Sequence, residues 1–281
     1  MWASQARGRV APAMWRFAAQ HPLLLGTFGA CEGAFFPLVF YSAARLPGAV
    51  VQVLNQVLIP GTVVFSFLVL RRRCGATQLA GVGTTLAGVL LAISPAASAR
   101  TPVGPRPLHV AMCAAAYALQ ALAMVVKELT FQRYGAAERG PSLSVPLFLA
   151  AGTLSRAVAL VLLWPLFLRA VDPRSQVLSS ALAGLSAIAS PSVLPLAAFY
   201  WTCNVGISVT ALMLVRQTSA SATVLANVVS MPLSALLFCC PLPLLDRQPF
   251  HGVFVASLAL VVAGNLLYSH GARRREKACL S

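Results

Sequence analysis

Two ionisable side chains interrupt apolar stretches of this sequence that are long enough to cross a membrane. Glu32 lies in the stretch 22–44, and Arg156 lies in the stretch 144–168. A charged group at the bilayer centre costs about 2.5–3.5 kcal/mol on insertion scales unless it is paired or hydrated, so such a group is a functional candidate. Glu32 is therefore a candidate for proton coupling or cation recognition. An ion pair with Arg156 is the structural alternative.

Amide and hydroxyl side chains form a second group of candidates, because they donate and accept hydrogen bonds with polar solutes. We select as substrate-binding candidates, besides Glu32, the residues Asn55, Gln56, Gln120, Asn204, Asn227 and Ser230. Some belong to polar stripes: Asn227 and Ser230 share one helix face with Ser219, Thr223 and Ser234. Stripes of this kind can line a wet cavity. They also form hydrogen bonds between membrane helices, worth about 1 kcal/mol or less each, without any substrate.

The overall composition requires a membrane protein. Of the 281 residues, 58% are hydrophobic and 10% are charged, and the mean hydropathy is +0.80. This composition excludes a soluble globular enzyme. The 21 Lys and Arg against 6 Asp and Glu give a net charge of +15, but they stand in short runs between apolar stretches, as membrane-flanking charges do. We therefore expect lipid contacts and no nucleic-acid partner.

Eight stretches have the length of about 20 apolar residues that a membrane-spanning helix needs. They are 22–44, 49–70, 76–95, 107–127, 144–168, 194–215, 219–240 and 251–268. We predict an all-α polytopic membrane bundle over 22–268, with a basic flank at 1–21 and a basic tail at 269–281. The connection 169–193 contains an apolar piece too short to span, which suits the membrane interface or a loop.

Basic residues also predict the orientation of the spans. Most Lys and Arg residues outside the spans fall on the side of both termini, so the positive-inside rule places both termini on the cytoplasmic side. Lys127 and Glu128 close the fourth stretch, and we interpret them as interface anchors. The leader carries Arg residues and no acidic residue before Glu32. This composition is typical of an organellar transit peptide and equally of a positive-inside flank.

Two pairs of stretches share a pattern. Asn55–Pro60 lies over Asn227–Pro232 at a shift of 172 residues, and Ala87-Gly88 resembles Ala263-Gly264. Each pair is an odd number of spans apart, so its members cross in opposite directions. This arrangement is typical of the inverted repeats of secondary transporters, which bind substrate between the copies near mid-membrane. Chance similarity of apolar helices is the alternative.

Pro60 and Pro232 occupy matching positions in mid-span. A proline removes one backbone hydrogen bond and permits a kink. We therefore propose these residues as hinge candidates for a helix that bends during transport, with a static kink as the alternative.

The remaining chemistry-bearing residues predict neither a cofactor nor an enzyme. The 7 cysteines form no framework of spaced pairs, so we expect no structural disulfide and no metal site. No stretch presents clustered His with carboxylates, and a phosphate-binding Gly-Lys motif is absent. We therefore assign no catalytic residues, and we expect transport without ATP hydrolysis.

Three segments carry motifs in a distinctive order. They are 45–73, with Asn55-Gln56 before Pro60; Lys127-Glu128; and 222–243, with Asn227 before a Met-Pro-Leu-Ser run. In order and spacing they resemble the chloroquine-resistance-transporter-like family of the drug/metabolite transporter superfamily, and the last is similar to the plant plastid branch. The resemblance implies an incomplete form of a fold with two inverted copies of five helices, both termini cytosolic, whose central cavity opens alternately to each side.

The resemblance also implies roles for individual residues. It places Glu32 at the acidic position of the third family helix, and Asn55 and Gln56 at the polar pair of the fourth. Asn227 falls at a polar position of the ninth. Arg156 stands where an uncharged polar residue is expected, which affects charge preference. By the same resemblance, we expect the first two family helices to be missing here.

We therefore expect a secondary transporter of small polar metabolites in a plastid envelope or vacuolar-type membrane. The resemblance implies glutathione or γ-glutamylcysteine, amino acids, peptides or cationic drugs as substrates. Two alternatives stay open: a sugar-phosphate or nucleotide-sugar transporter of the same superfamily, and a truncated, transport-incompetent membrane partner. Self-association into a homo-oligomer is compatible with each of these functions.

Overall fold

The computed structural model describes residues 19–72, 74–94, 107–137, 145–171, 177–217, 223 and 252–280. Its elements are α1 (Pro22–Ala43), α2 (Gly48–Leu54), a 3₁₀ turn (Asn55–Val57), α3 (Leu58–Leu70), α4 (Ala76–Ala92), α5 (Pro107–Ala137), α6 (Val145–Val171), α7 (Val177–Ile188), α8 (Leu194–Gln217) and α9 (Gly252–Leu280). These ranges contain no β-strand. The predicted all-α class is confirmed.

Five helical segments in the described ranges are long and apolar enough to cross a membrane. They are Pro22–Ala43, Val50–Leu70, Pro107–Arg133, Phe148–Arg169 and Leu194–Gln217. Shorter apolar helices cover Ala76–Ala92, Ser179–Ile188 and Val255–Gly271. These helices confirm the predicted polytopic membrane bundle. The predicted span 219–240 lies outside the described residues apart from Thr223.

Some helix boundaries differ from the sequence prediction. The helix predicted to end at 127 continues as α5 to Ala137, and α9 continues to Leu280 through the segment assigned to the basic tail. Both extensions are rich in residues with good helix propensity, and neither contains a proline. The connection 169–193 contains the end of α6 and the whole of α7.

The chain divides into two compact units. The first comprises 1–37 and 130–218, and the second comprises 38–129 and 219–281. The core of the first unit joins Phe148, Ala151 and Leu212. The ring of Phe148 lies 4.9 Å from that of Phe131 between centroids, so aromatic packing ties α5 to α6 there.

Small residues set the contact of α1 with α6 in the first unit. Gly29 lies against Ser155, and Gly33 lies against Ala159. Both pairs are spaced by four residues, which allows two backbones to approach closely along one face of each helix. The Ser155 hydroxyl also donates a hydrogen bond of 2.8 Å to the carbonyl of Leu25. This contact fixes the face of α6 that α1 meets.

Glycines set the contact of α4 with α9 in the second unit. A Cβ atom on Gly81 would lie 2.7 Å from the carbonyl oxygen of Gly264 and 2.6 Å from the nitrogen of Tyr268. Further along α4, a Cβ atom on Gly88 would lie 2.8 Å from the side chain of Val261. Partner numbers on α9 fall as numbers on α4 rise, so the two helices are antiparallel.

The α4–α9 contact is also reciprocal. When the sequence of α4 is aligned with that of α9 so that Gly88 matches Gly264, Thr85 matches Val261. Gly88 lies against Val261, and Gly264 lies against Thr85. Each contact therefore has a counterpart in which the two helices exchange roles, as in a pair related by a two-fold axis. Any antiparallel helix pair has such counterparts, so the contact shows that these two helices run in opposite directions, as the sequence predicts for this pair.

The 3₁₀ turn interrupts the second predicted span one turn before Pro60. Proline has no N–H for the carbonyl four residues earlier, and its ring crowds that carbonyl. The carbonyl concerned belongs to Gln56, within the turn Asn55–Val57. Pro60 thus explains why this span divides into α2 and α3. Pro232, the other hinge candidate, lies outside the described residues.

We predict opposite effects for two Gly→Ala substitutions on α4. Gly81→Ala places a methyl group against the backbone of α9 and should destabilise the protein by about 1–3 kcal/mol through overpacking. Gly83→Ala is the matched control, since nothing lies within 4 Å of its Cβ position, and it should stabilise by up to about 1 kcal/mol through helix propensity. Thermal unfolding in detergent measures both. Equal shifts for the two variants would contradict the close α4–α9 contact.

Candidate functional site

A buried chain of polar side chains joins three elements of the second unit. The Gln56 side chain, on the 3₁₀ turn, is fully buried, and its Oε1 accepts a hydrogen bond of 3.3 Å from Nδ2 of Asn265 on α9. The Asn265 Oδ1 lies 3.2 Å from Oγ1 of Thr85 on α4. Thr85 also donates to the carbonyl of Gly81 at 3.0 Å. The α4–α9 contact therefore positions the carbonyl end of the Gln56 amide.

The nitrogen end of that amide is buried as well. Within the described part of the chain, Nε2 of Gln56 has no hydrogen-bond partner. A buried polar group without a partner costs about 1–3 kcal/mol. Such a donor suits an acceptor on a bound solute, such as a carbonyl or carboxylate oxygen. Gln56 is thus the strongest of the predicted site residues.

Two other candidates of the second unit are less buried. Oε1 of Gln120, on α5, is buried without a partner among the residues that the structure describes, although the residue as a whole is half-buried. Asn55 is half-buried beside Gln56 on the 3₁₀ turn. Ser66 on α3, which the sequence analysis did not select, has a buried hydroxyl without a partner in the same ranges. Unpaired buried polar atoms therefore recur in this unit.

Glu32 and Arg156 form an ion pair in the first unit. Nη1 of Arg156 lies 3.7 Å from Oε2 of Glu32. Glu32 is buried, with 7% of its residue surface exposed. The Arg156 side chain is 29% exposed. The guanidinium also lies 5.2 Å from the centre of the Phe36 ring, within cation–π range. The pairing that the sequence left as an alternative is thus present, and it compensates the charge on Glu32.

The hydrogen bond described for Asn204 lies within its own helix. Its Nδ2 lies 3.4 Å from the hydroxyl of Tyr200, four residues earlier on α8. Asn204 is half-buried, and Tyr200 is 46% exposed. The described contacts do not bring Asn204 to Glu32 in the same unit. Asn227 and Ser230 lie outside the described residues.

The structure also contains a second ion pair, which the sequence analysis missed. Nη1 of Arg72 lies 2.6 Å from Oε1 of Glu128, and the side chains are 49% and 4% exposed respectively. Glu128 is therefore a buried partner within α5 rather than an interface anchor at a helix end. The signal lay in the residues that follow it, since Leu129–Arg133 contains no helix-breaking residue.

Asn265 and Thr85 are the functional candidates that sequence reasoning missed. A signal for Asn265 was present in the repeat. At the shift that places Gly88 on Gly264, Asn265 replaces Val89 within an otherwise apolar motif. A polar residue at one position of an apolar repeat needs a hydrogen-bond partner in lipid. Gln56 and Thr85 supply that partner.

The described ranges contain no group of three His, Cys, Asp or Glu side chains placed to hold a metal ion. The cysteines described, Cys31, Cys74, Cys113 and Cys203, carry free thiols. The polar groups above therefore offer hydrogen bonds and paired charges. Such groups suit the reversible binding of a solute.

Long apolar helices and the buried polar groups within them define a polytopic integral membrane protein. Residues 11–140 match the sequence model of the CRT-like, chloroquine-resistance transporter-like family. The chain is thus similar to this family over a little less than half of its length.

Relatives are chloroplastic proteins of Arabidopsis thaliana. Protein CLT2, chloroplastic, is 29% identical over 268 residues, which cover 91% of this chain and 60% of the relative. Protein CLT3, chloroplastic, is 25% identical over 245 residues, covering 82% and 54%. Protein CLT1, chloroplastic, is 25% identical over 241 residues, covering 81% and 54%. The chain thus spans between half and two thirds of the length of these relatives.

We predict energetic coupling between Glu32 and Arg156. Arg156→Gln leaves a buried carboxylate without its cation and should destabilise by about 1–3 kcal/mol, less than for a fully buried pair because the arginine is partly exposed. The double variant with Glu32→Gln should recover part of this loss, with a coupling energy of about 0.5–3 kcal/mol. Arg169→Gln, at an exposed position of the same helix, is the control. Additive effects on thermal unfolding would show that the pair is not coupled.

Proposed function

We propose that this protein is a secondary transporter that moves small polar metabolites across a membrane by alternating access. The observation that carries the proposal is the buried Nε2 of Gln56, which has no partner in the described part of the chain. A transporter needs donors of this kind, which pair with a solute and release it again. Similarity of residues 11–140 to the CRT-like family supports the same class of function.

The proposed substrates are short peptides of the glutathione and γ-glutamylcysteine type. Such molecules carry several carbonyl and carboxylate oxygens, which suit an amide donor held at its other end by Asn265. Amino acids, other peptides and cationic drugs share part of this chemistry. The comparison of these substrates is therefore the first experiment.

Glu32 is the proposed site of proton coupling or cation recognition. Its carboxylate is buried and lies 3.7 Å from Arg156. Protonation of Glu32 would remove the negative member of the pair and free the guanidinium for an anionic group on the substrate. A proton and an anion would then bind together. Asn55, Gln120, Asn204, Asn227 and Ser230 are proposed as further polar contacts along the substrate path.

The proposed hinge is the 3₁₀ turn that precedes Pro60. A 3₁₀ segment within a longer helix has poorer hydrogen bonds than the α-helix and often marks a hinge. Because Gln56 lies on this turn, bending there would move the amide that binds the substrate. Pro232 is proposed as the matching hinge of the second repeat.

The proposed membrane is the plastid envelope, because the relatives carry chloroplastic names. Orientation with both termini on the cytoplasmic side follows from the distribution of basic residues. A sugar-phosphate transporter is less well supported, because Arg156 alone supplies too little positive charge for a phosphate group.

Uptake into proteoliposomes tests the substrate and the role of Gln56. We expect saturable uptake of labelled glutathione in preference to free amino acids and unrelated dipeptides. Gln56→Met keeps the side-chain length but removes the donor, and it should lower kcat/KM by about tenfold or more.

Gln78→Met is the matched control, because Gln78 is also buried on a helix but accepts a hydrogen bond of 2.9 Å from the backbone N–H of Gly75. It should retain the uptake of the unmodified protein once corrected for reconstituted amount. If Gln56→Met transports normally, or if both variants lose uptake equally, Gln56 is not a substrate contact.

The pH dependence of uptake tests Glu32. If a proton binds there during the cycle, Glu32→Gln should abolish the dependence of uptake on pH while leaving counterflow exchange of labelled substrate. Glu128→Gln serves as the control, because Glu128 is a buried carboxylate paired with Arg72 and has no assigned transport role. A pH profile unchanged by Glu32→Gln but changed by Glu128→Gln would reassign the coupling site.

A further inference from the structure

An apolar groove lies at the end of α3 and the start of α4 in the second unit. It has a volume of about 510 Å³ and is lined by Val63, Val64, Phe67, Leu68, Cys74 and Leu79. Phe67 is 56% exposed, Leu68 is 63% exposed and Leu79 is 55% exposed. Large apolar side chains this exposed lie in a medium that is itself apolar, or under a bound molecule.

Two basic residues follow α3 directly in the sequence. Arg71 and Arg72 are exposed and stand within five residues of Phe67. Arg71 ends the helix in the left-handed conformation, with φ of 53°. The charge of Arg72 is compensated by its ion pair with Glu128. The positive charge that remains at this helix end is therefore that of Arg71. The groove is therefore lined by apolar side chains of the membrane-spanning helix, and a basic residue follows where that helix ends.

We propose that this groove binds an anionic phospholipid, with an acyl chain along Val64, Phe67 and Leu79 and the headgroup phosphate at Arg71. The apolar groove and Arg71 follow one another in the same order as the acyl chain and the phosphate of a phospholipid, since hydrocarbon lies deeper in the bilayer than phosphate. α3 belongs to the spanning segment Val50–Leu70, so its last turns lie where acyl chains meet headgroups. Basic residues at that level attract anionic headgroups. The proposal is independent of what the protein transports.

The choice of an anionic lipid follows from charge complementarity. A zwitterionic headgroup carries its own cation beside the phosphate, whereas phosphatidylglycerol carries a net negative charge. One basic residue near the membrane surface contributes about a fivefold preference for anionic lipid. Arg71 should therefore produce a preference of this size at the groove.

Fluorescence quenching by brominated lipids tests this local preference in the full chain. The 4 native tryptophans are replaced by phenylalanine, and Phe67→Trp supplies a reporter in the groove. A second protein keeps Trp201 alone, which is 55% exposed on α8 and serves as the matched off-site reporter. Quenching is measured in vesicles that mix brominated phosphatidylglycerol or brominated phosphatidylcholine with the unbrominated lipid of the other class.

We expect quenching at the Phe67→Trp reporter to favour phosphatidylglycerol about fivefold, and quenching at Trp201 to show no preference. Arg71→Gln should abolish the preference, and Arg71→Lys should retain it. Arg169→Gln, at an exposed position on α6, should not change it. Circular dichroism and unchanged quenching at Trp201 verify that each variant is folded.

Three results would overturn the proposal. One is equal quenching by the two lipids at the Phe67→Trp reporter, which would mean that the groove takes ordinary bilayer lipid. Another is a preference that survives Arg71→Gln. The third is protection of this reporter from both lipids, which would mean that a protein surface, such as a second copy of the chain, covers the groove.

Discussion

The close antiparallel contact of α4 with α9 is the constraint on which the candidate site depends. Three glycines, Gly81, Gly88 and Gly264, allow the two backbones to approach closely. In lipid, helices gain little from hiding apolar surface, so close packing and hydrogen bonds must hold them together. Here the glycines allow both, because Ser257 also donates a hydrogen bond of 2.9 Å to the carbonyl of Gly88.

This contact determines how Gln56 is presented. It brings Asn265 and Thr85 within 3.2 Å of each other, and Asn265 then reaches the carbonyl end of the Gln56 amide. An amide held at one end has a fixed orientation, so the direction of its nitrogen is fixed as well. Pro60 adds the second condition, because it interrupts the helix at the turn that carries Gln56. Rigid packing on one side and a weakened helix on the other suit a binding group that must move with its helix.

The sequence predicted the features that depend on composition and period. Apolar length located the spans, and the matched Gly88 and Gly264 predicted an inverted pair whose antiparallel packing the structure confirms. Contacts between residues far apart in the chain were not predictable in the same way. The pairing of Glu32 with Arg156 stayed one of two readings, because the spacing of two charges along the chain does not give the distance between them. Glu128 was misassigned for a related reason, since its partner Arg72 is recruited from another helix end.

Asn265 illustrates a second limit of sequence reasoning. A single asparagine among apolar residues gives no indication of a role unless its hydrogen-bond partners are known. The partners of Asn265 lie on two other elements. Comparison of the two repeat copies would have singled it out, because only one copy carries the polar residue. Differences between otherwise matching repeats thus mark functional candidates that the matches alone do not.

The central claim is that the Gln56 amide, oriented by Asn265, binds the transported solute. A cryo-electron microscopy structure of the protein in lipid nanodiscs, determined with and without glutathione, tests it most directly. The account predicts solute density within hydrogen-bond distance, about 3 Å, of Nε2 of Gln56, with the Asn265 contact intact. Solute density elsewhere, or a protein atom bonded to Nε2 in both states, would contradict it.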